Sequence, residues 1–188
     1  MKIRWFAAAL AICAAASFAL AGASSAVVPA AHAASASHQG LTAPELSAAA
    51  RAQLSAGGAS ICYDAYIQDT GWQPWVCDGA VAGTTGQALR MEALSIVTTG
   101  TGGTCANAHV QNIGWQGQRC ASDGTVVTVG TMGQALRMEA LTLRLGSGQV
   151  CANAHVQNIG WQGMTCGTTV TVGTTGQSLR MEAIQISV

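Results

Sequence analysis

Along residues 62–77 the side chains alternate in character from one position to the next. With Cys62 set opposite Cys77, one face receives Tyr63, Ala65, Ile67, Trp72, Pro74 and Val76. The other receives Cys62, Asp64, Tyr66, Gln68, Gln73, Trp75 and Cys77. Such alternation predicts a β-hairpin with one face on a core and the other toward water. The same register over 105–120 sets His109 opposite Gln116 and Val110 opposite Trp115, with the turn on Gln111, Asn112, Ile113 and Gly114. A third copy spans 151–166. In this register Trp72, Trp115 and Trp161 share the apolar face with Ile67, Val110 and Val156, so three indoles are expected to plug the core.

Two further strands are predicted in each unit. "TVVTV" (125–129) and "TTVTV" (168–172) are β-branched, and "ALRMEALTLRL" (135–145) follows a Gly-Thr-x-Gly turn. Asp78-Gly79 and Asp123-Gly124 supply turn chemistry ahead of that pair. Each unit closes on nearly one phrase, "GQALRMEAL" at 86–94 and 133–141 and "GQSLRMEAI" at 176–184. Three repeats follow, at 61–98, 104–146 and 150–188. Four strands per repeat predict an all-β, pseudo-threefold closed domain, either a β-prism or a β-trefoil, because closure removes exposed sheet edges.

Composition narrows the partners. Only 9% of the residues are charged and the formal net charge is zero, so the chain lacks the basic field that nucleic acid requires of a partner. Lys2 and Arg4 precede the apolar run "WFAAALAICAAASFALAG", and small residues end in Ala31-His32-Ala33. This reads as a secretory signal peptide over 1–33, with no membrane association expected after cleavage. Residues 34–60 read as a linker or short helix: Thr42 and Glu45 form a capping box, Gly57-Gly58 stop it, and Leu41, Leu46 and Leu54 are its only apolar anchors. A loosely attached segment is therefore expected there. Of seven cysteines, Cys13 leaves with the signal. The other six fall as Cys62/Cys77, Cys105/Cys120 and Cys151/Cys166, each pair enclosing fourteen residues, which reads as a disulfide framework in an oxidising compartment. Zinc on Cys105, His109 and Cys120 does not fit the hairpin, since four residues along a strand span ~13 Å, and no metal or cofactor is expected.

The units "AYIQDTGWQPWVCDGAVAGTTGQALRMEAL", "AHVQNIGWQG…GTMGQALRMEAL" and "AHVQNIGWQG…GTTGQSLRMEAI" resemble ChW repeats, the clostridial hydrophobic repeats with a Trp in a Gly-Trp pair. The likeness covers essentially 61–188 and rests on His-Val-Gln, Gly-Trp, Gly-Thr-x-Gly-Gln and Arg-x-Glu-Ala. It implies an extracellular bacterial protein acting in adhesion, polysaccharide binding or protein contacts. Two departures stand out: the paired cysteines look like an addition to the usual pattern, and Gln118 and Met164 replace the second aromatic seen at Trp75.

Candidate chemistry follows from the faces. On the polar face of repeat 1, Trp75 lies across from Asp64 and Tyr66 across from Gln73, a mixture of aromatic wall and polar groups suited to a sugar. Repeats 2 and 3 offer Asn107, His109, Gln116 and Asn153, His155, Gln162 at the matching positions. Arg90/Glu92, Arg137/Glu139 and Arg180/Glu182 are spaced by two, hence on one strand face with Leu94, Leu141 and Ile184. Structural ion pairs at repeat junctions are expected of them. The three Glu stand in near-identical contexts, without the asymmetry of a glycosidase pair. No Ser elbow, free mature Cys or phosphate loop appears either, so an enzyme is not expected. The expected function is a secreted, non-catalytic module that binds cell-wall or environmental polysaccharide, chiefly through repeat 1. The alternative is a structural or protein-interacting cell-surface protein that binds no sugar.

Overall fold

The computed structural model describes residues 46–188. The signal peptide expected at 1–33, Cys13, Leu41 and the Thr42–Glu45 capping box lie outside the described residues. Repeat 1 supplies β1 (Ser60–Ile67), β2 (Gly71–Trp72), β3 (Val76–Cys77), β4 (Ala82–Gly83) and β5 (Met91–Thr99). Repeat 2 supplies β6 (Thr104–Val110), β7 (Gly114–Trp115), β8 (Arg119–Ala121), β9 (Val127–Gly130) and β10 (Met138–Leu145). Repeat 3 supplies β11 (Val150–Val156), β12 (Gly160–Trp161), β13 (Thr165–Gly167), β14 (Thr169–Gly173) and β15 (Met181–Ser187).

These segments form three antiparallel sheets, and each sheet mixes two repeats. The first runs β2-β1-β5-β9, the second β7-β6-β10-β14 and the third β12-β11-β15-β4, with β3, β8 and β13 also paired to β1, β6 and β11. The two closing strands of a repeat therefore do not pair with each other as the sequence order suggested. Instead β9 joins β5 of repeat 1, β14 joins β10 of repeat 2, and β4 joins β15 of repeat 3. The reason is burial: one repeat cannot cover its own apolar face. A single core cluster draws Ile61, Tyr63, Leu94, Val110, Leu141, Val156 and Ile184 from all three repeats.

Close backbone contact locks each exchanged strand. Gly83, Gly130 and Gly173 have φ of 104°, 95° and 91°, a left-handed conformation that favours glycine. A Cβ at these positions would stand 2.4, 2.3 and 2.4 Å from the carbonyl oxygens of Glu182, Glu92 and Glu139. Side-chain amides hold the same glycines from the neighbouring hairpin. Gly130 N–H donates to Gln116 Oε1 (2.8 Å) while Gln116 Nε2 donates back to the Gly130 carbonyl (3.2 Å), and Gln162 grips Gly173 likewise (2.8 and 3.2 Å). Gln73 Oε1 accepts from Gly83 N–H at 2.7 Å.

Repeat 1 carries two extras. Tyr63, where the other repeats have Ala106 and Ala152, is fully buried; its hydroxyl donates to the Ala80 carbonyl and accepts from Ile186 N–H at 2.8 Å. The segment ahead of β1 contains helix α1 (Ala48–Ser55), capped by Ser47, whose hydroxyl accepts from Ala50 N–H at 3.1 Å. This helix lies on the outer face of the first sheet rather than hanging free. Leu46 and Ala50 are buried there with Cys62, Val97 and Val126.

Gly130→Ala should lower stability by about 3 kcal/mol, because strain and the clash with Glu92 act together. Gly133→Ala, left-handed at φ 67° but facing open space, should cost only about 1 kcal/mol. Urea denaturation without reductant measures both; equal small losses would show that the strand handover does not depend on this approach.

Candidate functional site

Near the cysteines the hairpins have the register expected of them. Cys62 pairs with Cys77, Cys105 with Cys120 and Cys151 with Cys166, each pair disulfide-bonded with Cα atoms 4.0 Å apart. Toward the turn the register changes. Tyr63 faces Val76, yet Tyr66 faces Trp72, so the return strand spends four steps where β1 spends three. The same extra residue appears between Arg119 and Trp115 and between Thr165 and Trp161. Pro74 in the first hairpin, and Gly117 and Gly163 in the others, at φ 92° and 94°, occupy the bulged stretch.

One inserted residue reverses every side chain beyond it. Trp72, Trp115 and Trp161 therefore leave the core face, which corrects their expected role as plugs. Trp115 is 42% and Trp161 39% exposed, and Trp72 is half-buried. Each indole instead packs edge-to-face on its cross-strand partner: Trp72 on Tyr66 (5.4 Å between centroids), Trp115 on His109 and Trp161 on His155 (5.3 Å each).

A second bulge, on the other neighbour of β1, places the carboxylates. Tyr66 faces Ala93 but Ile67 faces Met91, leaving Glu92 as the extra residue; Glu139 and Glu182 occupy the same position in the other sheets. The glutamates are thus not in register with Leu94, Leu141 and Ile184, which point into the core, and the expected common face is corrected here too. Arg90 binds Glu92 at 2.7 Å, Arg137 binds Glu139 at 2.6 Å and Arg180 binds Glu182 at 2.7 Å. His109 Nδ1 lies 3.0 Å from Glu139 and His155 Nδ1 3.1 Å from Glu182. The outer ends of the second and third sheets therefore carry a chain of contacts from Arg through Glu and His to Trp; in the first sheet Arg90 pairs with Glu92 and Trp72 packs on Tyr66.

These groups border a shallow polar cavity. In the first sheet it has a volume of about 330 Å³ and is lined by Tyr66, Asp69, Thr70, Arg90, Glu92 and Ala135, among others. Ala135 comes from repeat 2, so the wall is shared between repeats. Ala135 and its counterparts Ala88 and Ser178 have φ of 54°, 56° and 56°, a strained state for residues with a Cβ. The same conformation recurs at the same place in all three repeats.

The other expected ligand residues fare differently. Gln73, Gln116 and Gln162 are used as latches on the exchanged strands, so their amides are not presented to a ligand. Asp64 is fully buried, and Trp75 is half-buried against the cluster that α1 forms with Leu46, Ala50 and Leu54. The expected Trp75–Asp64 platform is therefore not open, and α1 packs over its Trp75 side. Asn153 is also engaged, accepting from Gly163 N–H at 2.9 Å. Asn107 lines an open groove on the second sheet. The residues missed from sequence are Asp69, Thr70 and Ala135, together with the exposed Ile113 and Ile159 beside the outward indoles. A glycine or proline two residues after each Trp was the available signal for the bulge. Among the described residues no cluster of His, Cys, Asp and Glu could hold a metal ion.

The family model described as Clostridial hydrophobic W matches this chain three times, over residues 66–100, 109–146 and 155–188. No curated protein and no solved structure matches it.

Burial pushes the Asp64 carboxyl up from 3.8 to about 8. A folded pKa above the unfolded value gives a contribution that is full at low pH and is lost as pH rises through about 8. Stability measured by urea denaturation should therefore decline between pH 4 and pH 8 in the native chain, and Asp64→Asn should flatten that slope. An unchanged slope would show that the carboxyl is not buried in the folded state.

Proposed function

This chain belongs to the Clostridial hydrophobic W family, and from that premise we propose that it is a secreted, non-catalytic module that binds cell-wall or environmental polysaccharide through its outward tryptophans. The observation that carries the reading is the exposure of Trp115 and Trp161, each packed edge-on to a histidine whose Nδ1 lies 3.0 or 3.1 Å from a glutamate carboxylate. A held indole beside a guanidinium and a carboxylate offers a stacking surface and hydrogen-bonding partners at little entropic cost. Binding shifts from the expected Trp75 face of repeat 1 to the Trp72, Trp115 and Trp161 ends of the sheets. Three weak sites on one chain gain avidity on a polymer without any new contact.

The carboxylates support the non-catalytic reading. Glu92, Glu139 and Glu182 are each held by the arginine two residues before them. Glycoside hydrolysis needs two carboxyls in unlike surroundings. Three disulfides fit an extracellular compartment. Among the described residues no helix is long and apolar enough to cross a membrane. The cyclic handover of β4, β9 and β14 between sheets favours a β-prism over a β-trefoil.

A second reading has its own support. Ile113 and Ile159, each 49% exposed, flank the indoles and would suit an apolar contact with a cell-surface protein. Retention on insoluble cell-wall polysaccharide separates the two. The double variant Trp115→Ala/Trp161→Ala should bind at least about tenfold more weakly, and either single variant should lose less. Retention unchanged in the folded double variant would exclude the sugar reading in favour of the protein contact.

A further inference from the structure

The outer faces of the three sheets are not equivalent, and among the described residues the second sets an exposed arginine without an ion pair beside an open groove. Beside the disulfide Cys105–Cys120, Arg144 stands between Cys105 on β6 and Thr169 on β14. One rung along, Thr142 stands between Asn107 and Thr171, and the two threonine hydroxyls share a hydrogen bond of 2.9 Å. Asn107, Gln118, Thr142, Arg144 and Thr169 line a groove of about 240 Å³. In the first sheet the residue in Arg144's place is Val97, buried beneath α1; in the third it is Ser187.

Arg144 is exposed and makes no ion pair among the described residues, unlike Arg90, Arg137 and Arg180. The carboxylates nearest along the fold are already engaged. Glu139 is bound by Arg137 and His109. Asp123 accepts hydrogen bonds from Thr98, Thr101, Gly102 and Gly103. Asn107 Oδ1 is buried without a hydrogen-bond partner, whereas the matching Asn153 Oδ1 accepts from Gly163. The groove therefore presents one guanidinium without an ion pair among the described residues, beside several neutral hydroxyl and amide groups.

Trp115 lies on the same face. His109 pairs with both Trp115 and Ala140, and Ala140 is four residues along β10 from Arg144, about 13 Å at the strand rise. An aromatic surface and a guanidinium are thus fixed on one rigid sheet, too far apart for a single pyranose ring and suited to a short oligomer.

We propose that the outer face of the second sheet binds an acidic polysaccharide, with a sugar carboxylate on Arg144, hydroxyls on Asn107 and Thr142, and a further ring on Trp115. Guanidinium and carboxylate match in a bidentate geometry, which selects for a uronate over its neutral ester. This rests on the polysaccharide reading above and adds to it the charge of the ligand.

The test compares the disulfide-intact chain binding to polygalacturonate and to the fully methyl-esterified polymer of the same length, in low and high salt. The acid form should bind about tenfold more tightly in low salt, and salt should erode the difference. Arg144→Gln should bring the ratio to near one, and Arg144→Lys should restore part of it. Equal binding of the two polymers by the native chain, or a ratio that survives Arg144→Gln, overturns the acidic-ligand proposal and leaves the polysaccharide reading standing. Failure to bind either polymer or any neutral glycan overturns both.

Discussion

The handover of one strand from each repeat to the sheet of its neighbour is the constraint on which the structure depends. It succeeds because a glycine backbone at Gly83, Gly130 and Gly173 comes against the carbonyl of a bulged glutamate, where a Cβ would not fit. The glutamine after each tryptophan then grips that glycine from the adjoining hairpin. Two features of the repeats, the Gln of Gly-Trp-Gln and the Gly of Ala-Gly-Thr in repeat 1 and Val-Gly-Thr in repeats 2 and 3, are thus two halves of one contact. The outer ends of the sheets inherit their order from it, since the same bulge that frees the carbonyl also turns the glutamate side chain toward arginine and histidine.

Much of this was legible in the sequence and one part was misread for a definite reason. The cysteine spacing alone gives the hairpin pairing near the bridges, and the alternation gives Tyr63, Ala65 and Ile67 as core residues, as they are. Parity was then carried unbroken through Pro74, Gly117 and Gly163. A strand interrupted by such residues is prone to bulge, and each bulge inverts the faces beyond it. The tryptophans consequently stand on the face opposite the one that unbroken alternation predicts. The handover between repeats left no local mark at all, because a strand such as "TVVTV" has the same pattern whichever sheet receives it.

The repeats agree in framework and diverge at the surface. In the first, α1 packs over Trp75, Asp64 is buried, and Tyr63 ties β1 to β15 through a buried hydroxyl. In the third, Asn153 and Gln185 satisfy each other and nearby backbone. The second leaves its polar face open and charged. A protein with zero net charge offers little long-range attraction, so any difference between the three faces must come from such local asymmetry.

Whether the repeated indoles face water or the core decides the whole account. Hydroxyl-radical footprinting of the native, disulfide-intact chain, read by mass spectrometry, measures it residue by residue. Met164, 49% exposed, and Met138, fully buried, provide internal limits. Trp115 and Trp161 should oxidise at rates near that of Met164 after correction for intrinsic reactivity. Protection of both at the level of Met138 would place them in the core, remove the bulge from each hairpin, and contradict the binding ends built upon it.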